Sequence, residues 1–337
     1  MSFLTEEILK GTDWRAVERA VARVMSHLGW RSVQVVGRRG DGGGDVVGVR
    51  GVGGRDSVFV VQVKAVMGGS YVGPSAIQEA VDALPLYGGN VAVVATNGDF
   101  TQSAVTRQKE LSSQGFDVRL WNGSFLADLV NRAPSRHAGH RKLRDYQQAT
   151  VDRCLERFEE GTRRTMFVVA TGLGKTVIAS ELVSTLFSRG LRSAVVLCHS
   201  RDLALQLEQA FWSQISKDTP TRVFFDGEPP KVFDGINVGL YQTFSSYLNG
   251  IAPSDYDIVV VDEAHHAFAS GFLRCLSYLE PQLLVGMTAT PWRKDGLSIK
   301  DVFGPPVSTV SIVDGMLMGH LARVDYRVFS DSIDWKR

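Results

Sequence analysis

Apolar residues recur along this chain in two rhythms. Between residues 12 and 28, Trp14, Val17, Val21, Val24, Met25 and Leu28 fall on one side of a helical wheel. Thr12 or Asp13 is placed to cap that helix and Gly29 to stop it. Short β-branched runs then predict strands over residues 32–36, 45–50 and 57–64. Residues 51–56 have turn chemistry, so the last two strands form a hairpin. Residues 131–140, NRAPSRHAGH, have the Pro, Gly and basic character of a linker. His137 and His140 read there as linker residues. Beyond it, short apolar strands at 167–169, 194–197, 237–240 and 258–261 alternate with helical stretches such as 149–159 and 203–212. That alternation predicts a parallel sheet.

Composition narrows the class. The 337 residues are 44% hydrophobic and 22% charged, as expected of a soluble globular protein with room for two domains. A formal net charge of +1 means that any surface for nucleic acid is local. Cys154, Cys198 and Cys275 are widely spaced and imply neither a disulfide framework nor a zinc site. The first residues, MSFLTEEILKG, lack the apolar core of a signal peptide, and no run is long enough to span a bilayer. A cytoplasmic protein without a membrane partner is expected.

Three stretches carry candidate chemistry. Residues 166–176, MFVVATGLGKT, run from a strand through a glycine turn into a helix, the context of a phosphate-binding loop. Thr171, Gly172 and Gly174 would shape the loop, Lys175 would reach the outer phosphates, and Thr176 would hold Mg²⁺. A plain Gly-rich turn is the competing reading, since Val169 stands where the strict pattern has glycine. Asp262 and Glu263 follow a strand directly, so they can face the ligand crevice of a parallel sheet, Asp262 on Mg²⁺ and Glu263 positioning a water. An ordinary helix cap is the alternative. In the hairpin, symmetric pairing sets Asp45 opposite Gln62, with Lys64 on the face of Gln62. These groups could bind Mg²⁺ and orient an attacking water, or they could be solvated polar residues.

Two resemblances sharpen these readings. AVERAVARVMSHLGW, GDGGGDVVGV and VFVVQVKA, within residues 14–130, resemble the Mrr-like branch of the PD-(D/E)XK nucleases. The resemblance implies Asp45, Gln62 and Lys64 as the catalytic set, with Glu18 an auxiliary metal ligand. It also implies a helix over 75–84, a strand over 90–96, a helix over 101–113 and a strand over 118–121. Glu79, on the first of these helices, is a further candidate ligand, against the plainer reading of a solvated helix position. In the second half, VATGLGKT, DEAH at 262–265 and TATP at 288–291 look like motifs of superfamily 2 helicases of the restriction and repair type, as does the charged stretch 292–295. That likeness implies ATP contacts at Arg144, Gln147, Lys175, Thr176, Asp262 and Glu263. His265, Thr288 and Thr290 would couple nucleotide state to DNA, and Ser200, Arg201, Gln242 and Thr243 would touch the DNA backbone.

The combined expectation is an α/β chain. It comprises a nuclease domain with a mixed sheet over 1–132, a linker over 133–140, a RecA-like ATP-binding domain over 141–310 and a connector over 311–337. Such helicases need a second RecA-like domain, so the sequence ending at Arg337 is expected to be part of a longer enzyme. The expected activity is Mg²⁺-dependent cutting of double-stranded DNA coupled to an ATP-driven translocase, in defence against foreign or modified DNA. Cutting both strands would call for a homodimer. The alternative is a DNA-remodelling ATPase whose front domain only binds DNA.

Overall fold

A computed structural model describes residues 3–36, 43–52, 54–67, 69–225, 228–266, 270–290 and 299–324. The expected charged stretch 292–295, Pro291 and the last residues of the connector lie outside these segments. The strands are β1 (Arg31–Val35), β2 (Val46–Val52), β3 (Arg55–Lys64), β4 (Tyr71–Val72), β5 (Val91–Thr96), β6 (Asp99–Phe100) and β7 (Asp117–Trp121), then β8 (Arg164–Val169), β9 (Ser193–Cys198), β10 (Thr221–Phe224), β11 (Gly235–Leu240), β12 (Ile258–Asp262), β13 (Leu283–Thr288) and β14 (Pro306–Val310). The helices are α1 (Glu6–Lys10), α2 (Trp14–His27), α3 (Ser75–Asp82), α4 (Leu84–Tyr87), α5 (Gln102–Ser113) and α6 (Gly123–Arg132), then α7 (Asp145–Glu159), α8 (Lys175–Ser188), α9 (Arg201–Trp212), α10 (Tyr241–Ser246), α11 (Ser270–Tyr278), α12 (Lys300–Phe303) and α13 (Ile312–Leu317).

The front half is a mixed sheet in the order β1-β2-β3-β5-β7, antiparallel across β1, β2 and β3 and parallel across β3, β5 and β7. Helix α2 is capped by Asp13, whose carboxylate accepts from the Ala16 N–H. It packs Val17, Val21, Val24 and Met25 against Phe59, Val61 and Val63, one face of β3. Each fully buried side chain of this kind contributes roughly 1.5–3 kcal/mol. The opposite face carries Val60, packed on Ile77 and Ala80 of α3. By alternation, Gln62 and Lys64 share that second face. Trp14 departs from the expected apolar face: it is exposed, with the Arg15 guanidinium over its ring.

The back half is a seven-stranded parallel sheet, β10-β11-β9-β12-β13-β8-β14, buried between helices. Its registers pair Leu240 with Cys198, Val261 with Leu197, Asp262 with Met287 and Thr288 with Val168. The strands thus end along a single crest, where βα turns collect ligand-binding residues. Helix α7 begins at Asp145 rather than after Gln148, because Gln147 Oε1 accepts from the Arg144 N–H at 3.0 Å and the Gln147 N–H donates back to the Arg144 carbonyl at 2.9 Å.

Between the two sheets, α2 lies against α9 and β10. Arg23 is buried; its Nη2 donates to the Ser216 carbonyl at 3.1 Å and its Nη1 to Thr221 Oγ1 at 3.4 Å. Lys217 Nζ donates to the carbonyls of Val130, Asn131 and Ala133 at 3.2, 3.1 and 2.6 Å, closing the C-terminal end of α6. The expected linker histidines are packed. His137 stands edge-on to His27 with centroids 4.8 Å apart, and His140 Nδ1 lies 3.2 Å from the Ser213 carbonyl.

Candidate active sites

The first site forms where β2 begins. The strands pair Val46 with Val61, so the register carried one residue further sets Asp45 opposite Gln62, as the hairpin reading expects. Asp45 itself precedes the strand, and its Oδ2 accepts from Gln62 Nε2 and from the Val63 N–H, each at 2.6 Å. Gly43 sits at a φ of +97°, and a Cβ there would come within 3.0 Å of Gln62 Oε1. Only glycine allows the chain to turn this closely over the amide.

Glu18 reaches the same place from α2, on the other face of the sheet. It is 3% exposed, and burial followed by the adjacent Asp45 carboxylate raises its pKa to about 9. A hydrogen bond from the Glu18 carboxyl to Asp45 works in the same direction. Glu18 Oε1 and Gln62 Oε1 are buried without a hydrogen-bond partner. These two oxygen atoms, gathered without donors, suit a hard divalent cation. Among the described residues no three His, Cys, Asp or Glu side chains converge as a metal cluster, so the amide oxygen of Gln62 would have to complete this set. Lys64, two residues beyond Gln62, forms an ion pair with Glu79 at 2.6 Å. Glu79 is thus engaged rather than merely solvated. The sequence offers Glu79 as a candidate ligand, and the structure places it on the Lys64 ammonium instead.

The second site lies on the crest of the parallel sheet. β8 ends at Val169, residues 170–174 form the turn, and α8 starts at Lys175. Gly172 and Gly174 adopt φ of +85° and +84°, which only glycine takes without strain. Thr171 is exposed and Thr176 half-buried beside them. Lys175 Nζ donates to Glu263 Oε1 at 2.8 Å. Asp262 is buried, and its Oδ1 accepts from the Glu263 N–H at 2.9 Å. Burial, with the Glu263 charge, raises the Asp262 pKa. Burial works to raise that of Glu263 as well. There Lys175 outweighs it, aided by His265 and His199, and holds the carboxyl below its usual range. Glu263 also has a φ of +47°, a left-handed backbone unusual for a side chain of this size.

Neighbouring motifs close on this centre. His265 Nδ1 lies 2.9 Å from Thr288 Oγ1 and 3.3 Å from Glu263 Oε2, and Thr288 Oγ1 accepts from the Thr290 N–H at 3.2 Å. Gln147 Oε1 accepts from the Arg144 N–H at 3.0 Å, while its Nε2 donates to the Leu173 carbonyl in the glycine turn at 2.9 Å. Tyr146, absent from the sequence-based set, donates to the same carbonyl at 2.6 Å. Ser200 caps α9 and exposed Arg201 lies over the Phe225 ring. Gln242 and Thr243 begin α10, directly after β11. These four residues occupy the crest but lie outside the Lys175–Glu263 cluster.

Comparison with known proteins agrees with this division. Residues 9–130 match the Mrr catalytic family, described as restriction endonuclease, and residues 140–293 match the family of the type III restriction enzyme res subunit. The endonuclease subunit of the type I restriction enzyme EcoAI from Escherichia coli is 26% identical over 226 residues, covering 64% of this chain and 27% of that protein. The helicase/translocase subunit XPB of Encephalitozoon cuniculi, from general transcription and DNA repair factor IIH, is 29% identical over 205 residues, covering 54% of this chain and 28% of that one. The chain thus spans about a quarter of the length of such curated relatives. Among solved structures, the ATP-dependent type ISP restriction-modification enzyme LlaBIII bound to DNA aligns with 95% of this chain and 25% of its own, at 17% identity and a TM-score of 0.46. No described helix is long and apolar enough to cross a membrane. With one family matched in each half, this chain joins a restriction endonuclease domain of the Mrr catalytic type to a domain of the type III restriction enzyme res-subunit family.

Proposed function

We propose that this chain is the nuclease and first motor portion of an ATP-dependent enzyme that cuts double-stranded DNA, in defence against foreign or modified DNA. The observation that carries the reading is the burial of Glu18 against Asp45, with Oε1 of Glu18 and Oε1 of Gln62 both buried without a hydrogen-bond partner. Two carboxyl groups are forced together there in a way that a divalent cation would relieve. Asp45, Gln62 and Glu18 would hold Mg²⁺, which when bound stabilises charge on the phosphate and makes water a better nucleophile. Lys64 would leave Glu79 to orient that water.

In the motor, Thr171, Gly172 and Gly174 would cradle the ATP phosphates and Lys175 would move from Glu263 to the outermost one. Glu263 is then free to orient water, with Thr176 and Asp262 on Mg²⁺. Arg144 and Gln147 would engage the adenine, and His265, Thr288 and Thr290 would relay nucleotide state. Ser200, Arg201, Gln242 and Thr243 would hold DNA phosphates without reading sequence. Cleavage of both strands would bring two chains together as a homodimer in the cytoplasm. The domain limits 1–132, 133–140, 141–310 and 311–337 belong to the same proposal.

Cleavage of plasmid DNA in Mg²⁺ tests it. Lys64→Ala should lower cutting about a hundredfold or more while ATP binding persists. Lys175→Ala should abolish ATP binding. Undiminished cutting by Lys64→Ala would overturn the catalytic role of Lys64, which is paired with Glu79, and a wild-type chain that binds DNA without cutting it would favour the alternative, a front domain that only grips DNA.

A further inference from the structure

We infer that α2 and α9 form a two-helix linkage through which the motor's hold on DNA sets the position of Glu18, with Arg19, Arg23 and Glu208 as its positioning residues. This rests on the nuclease reading of Glu18 given above.

One helix, α2, carries both ends of the connection. Glu18 meets Asp45 in the front module, and its neighbour Arg19 turns to the motor, where its Nε lies 3.6 Å from Glu208 Oε2. One turn further on, Arg23 is fully buried against Thr221 and Ser216, with Phe3 stacked 4.5 Å from its guanidinium. Thr221 Oγ1 in turn donates to Glu208 Oε1 at 2.7 Å and accepts from Trp212 Nε1 at 3.1 Å. Burial pushes the Arg23 pKa down to about 9, which leaves its charge intact at neutral pH. Burial also raises that of Glu208, against the pull of Arg19.

Glu208 lies on α9, the helix whose first turn presents Ser200 and Arg201 on the crest. A shift of α9 on binding a DNA strand moves Glu208 with it, because a helix transmits displacement along its axis. Arg23 and Arg19 must follow, since a buried charge that loses its counter-charge is strongly disfavoured. Glu18, on the same rigid helix, moves with them.

There is room for a second arrangement. A cavity of about 520 Å³ adjoins the cluster, with Ala16, Arg19, Ala20 and Arg23 on one side and Glu208 and Trp212 on the other. Such a half-open pocket beside a charged contact leaves these side chains space to move that a filled interface would deny.

Hydrogen exchange of the whole chain reads the linkage without relying on cleavage. Adding a short duplex and a non-hydrolysable ATP analogue should change exchange across α2 in the wild type by roughly two- to thirtyfold. Glu208→Gln keeps an acceptor for Thr221 but removes the charge facing Arg19 and Arg23, so it should abolish that response at unchanged duplex affinity. Arg19→Gln, at the more accessible end of the cluster, serves if Glu208→Gln does not fold. An α2 that ignores duplex and nucleotide in the wild type, or that responds equally in the variant, overturns the linkage. Cleavage by Lys64→Ala at the wild-type rate would remove the nuclease reading alone, and the exchange result would still decide the linkage.

Discussion

Replacing Glu18 by Gln should stabilise the front module while depriving it of metal. The folded pKa of Glu18 is raised, to about 9 from a usual 4.5, by burial and by Asp45. Folding therefore takes up a proton between those values, and stability falls as pH rises through them. The slope is about 1.4 kcal/mol per pH unit, or about 4 kcal/mol from pH 5 to pH 8. Glutamine keeps the shape and carries no charge to desolvate, so the variant should lose most of this slope and exceed the wild type in stability at pH 8. Amide exchange of α2 in EDTA, followed from pH 5 to pH 8 and corrected for intrinsic rates, measures it. Added Mg²⁺ should raise protection in the wild type at pH 8 and leave the variant unmoved. Parallel pH profiles for the two proteins, or an equal Mg²⁺ response, would refute this account of the site.

Three further outcomes are expected. His27 and His137 are pushed down to about 3 and about 4 by burial and then by Arg23. The unfolded chain thus takes up protons that the folded one refuses, and their contribution, complete above pH 6.5, is lost below it by about 1.4 kcal/mol per histidine per unit. Proteolysis between residues 131 and 145 should accelerate from pH 7 to pH 5, and His27→Asn should flatten that trend. Gly174→Ala would place a Cβ 2.6 Å from Gln147 Nε2 at a φ of +84°, adding roughly 1–2 kcal/mol of strain and weakening ATP binding by calorimetry. Gly190→Ala, at a φ of +108° with open space around it, should leave ATP binding alone. Glu263→Gln removes the carboxylate that Lys175 holds at 2.8 Å, so ATP should still bind, by filter assay, while turnover falls about a hundredfold.

Local signals were sufficient for much of this architecture. The glycine turn before Lys175 and the run of Ile258–Asp262 into Glu263 depend on neighbours a few positions apart, and the hairpin register of Asp45 with Gln62 follows from one short turn between adjacent strands. Alternation along a strand is a short-range rule, and it transfers directly into space. Contacts between distant segments were not legible. The capture of Lys64 by Glu79 depends on where α3 packs, and Tyr146 reaches Leu173 only because α7 begins two residues before Gln147. The docking of Arg23 against Thr221 crosses 198 positions of sequence, and its chemistry in the chain is only that of one more helical arginine.

Lys217 carries a consequence for how such a protein can be divided. The ammonium that closes α6 belongs to the neighbouring module, so the last turn of the front half borrows its finishing group from the back half. Severed near residue 132, the front half would leave three carbonyl oxygens to seek water in place of a cation. A graft onto another motor would need a lysine at the corresponding spot, or a glycine stop of its own, to end the helix cleanly.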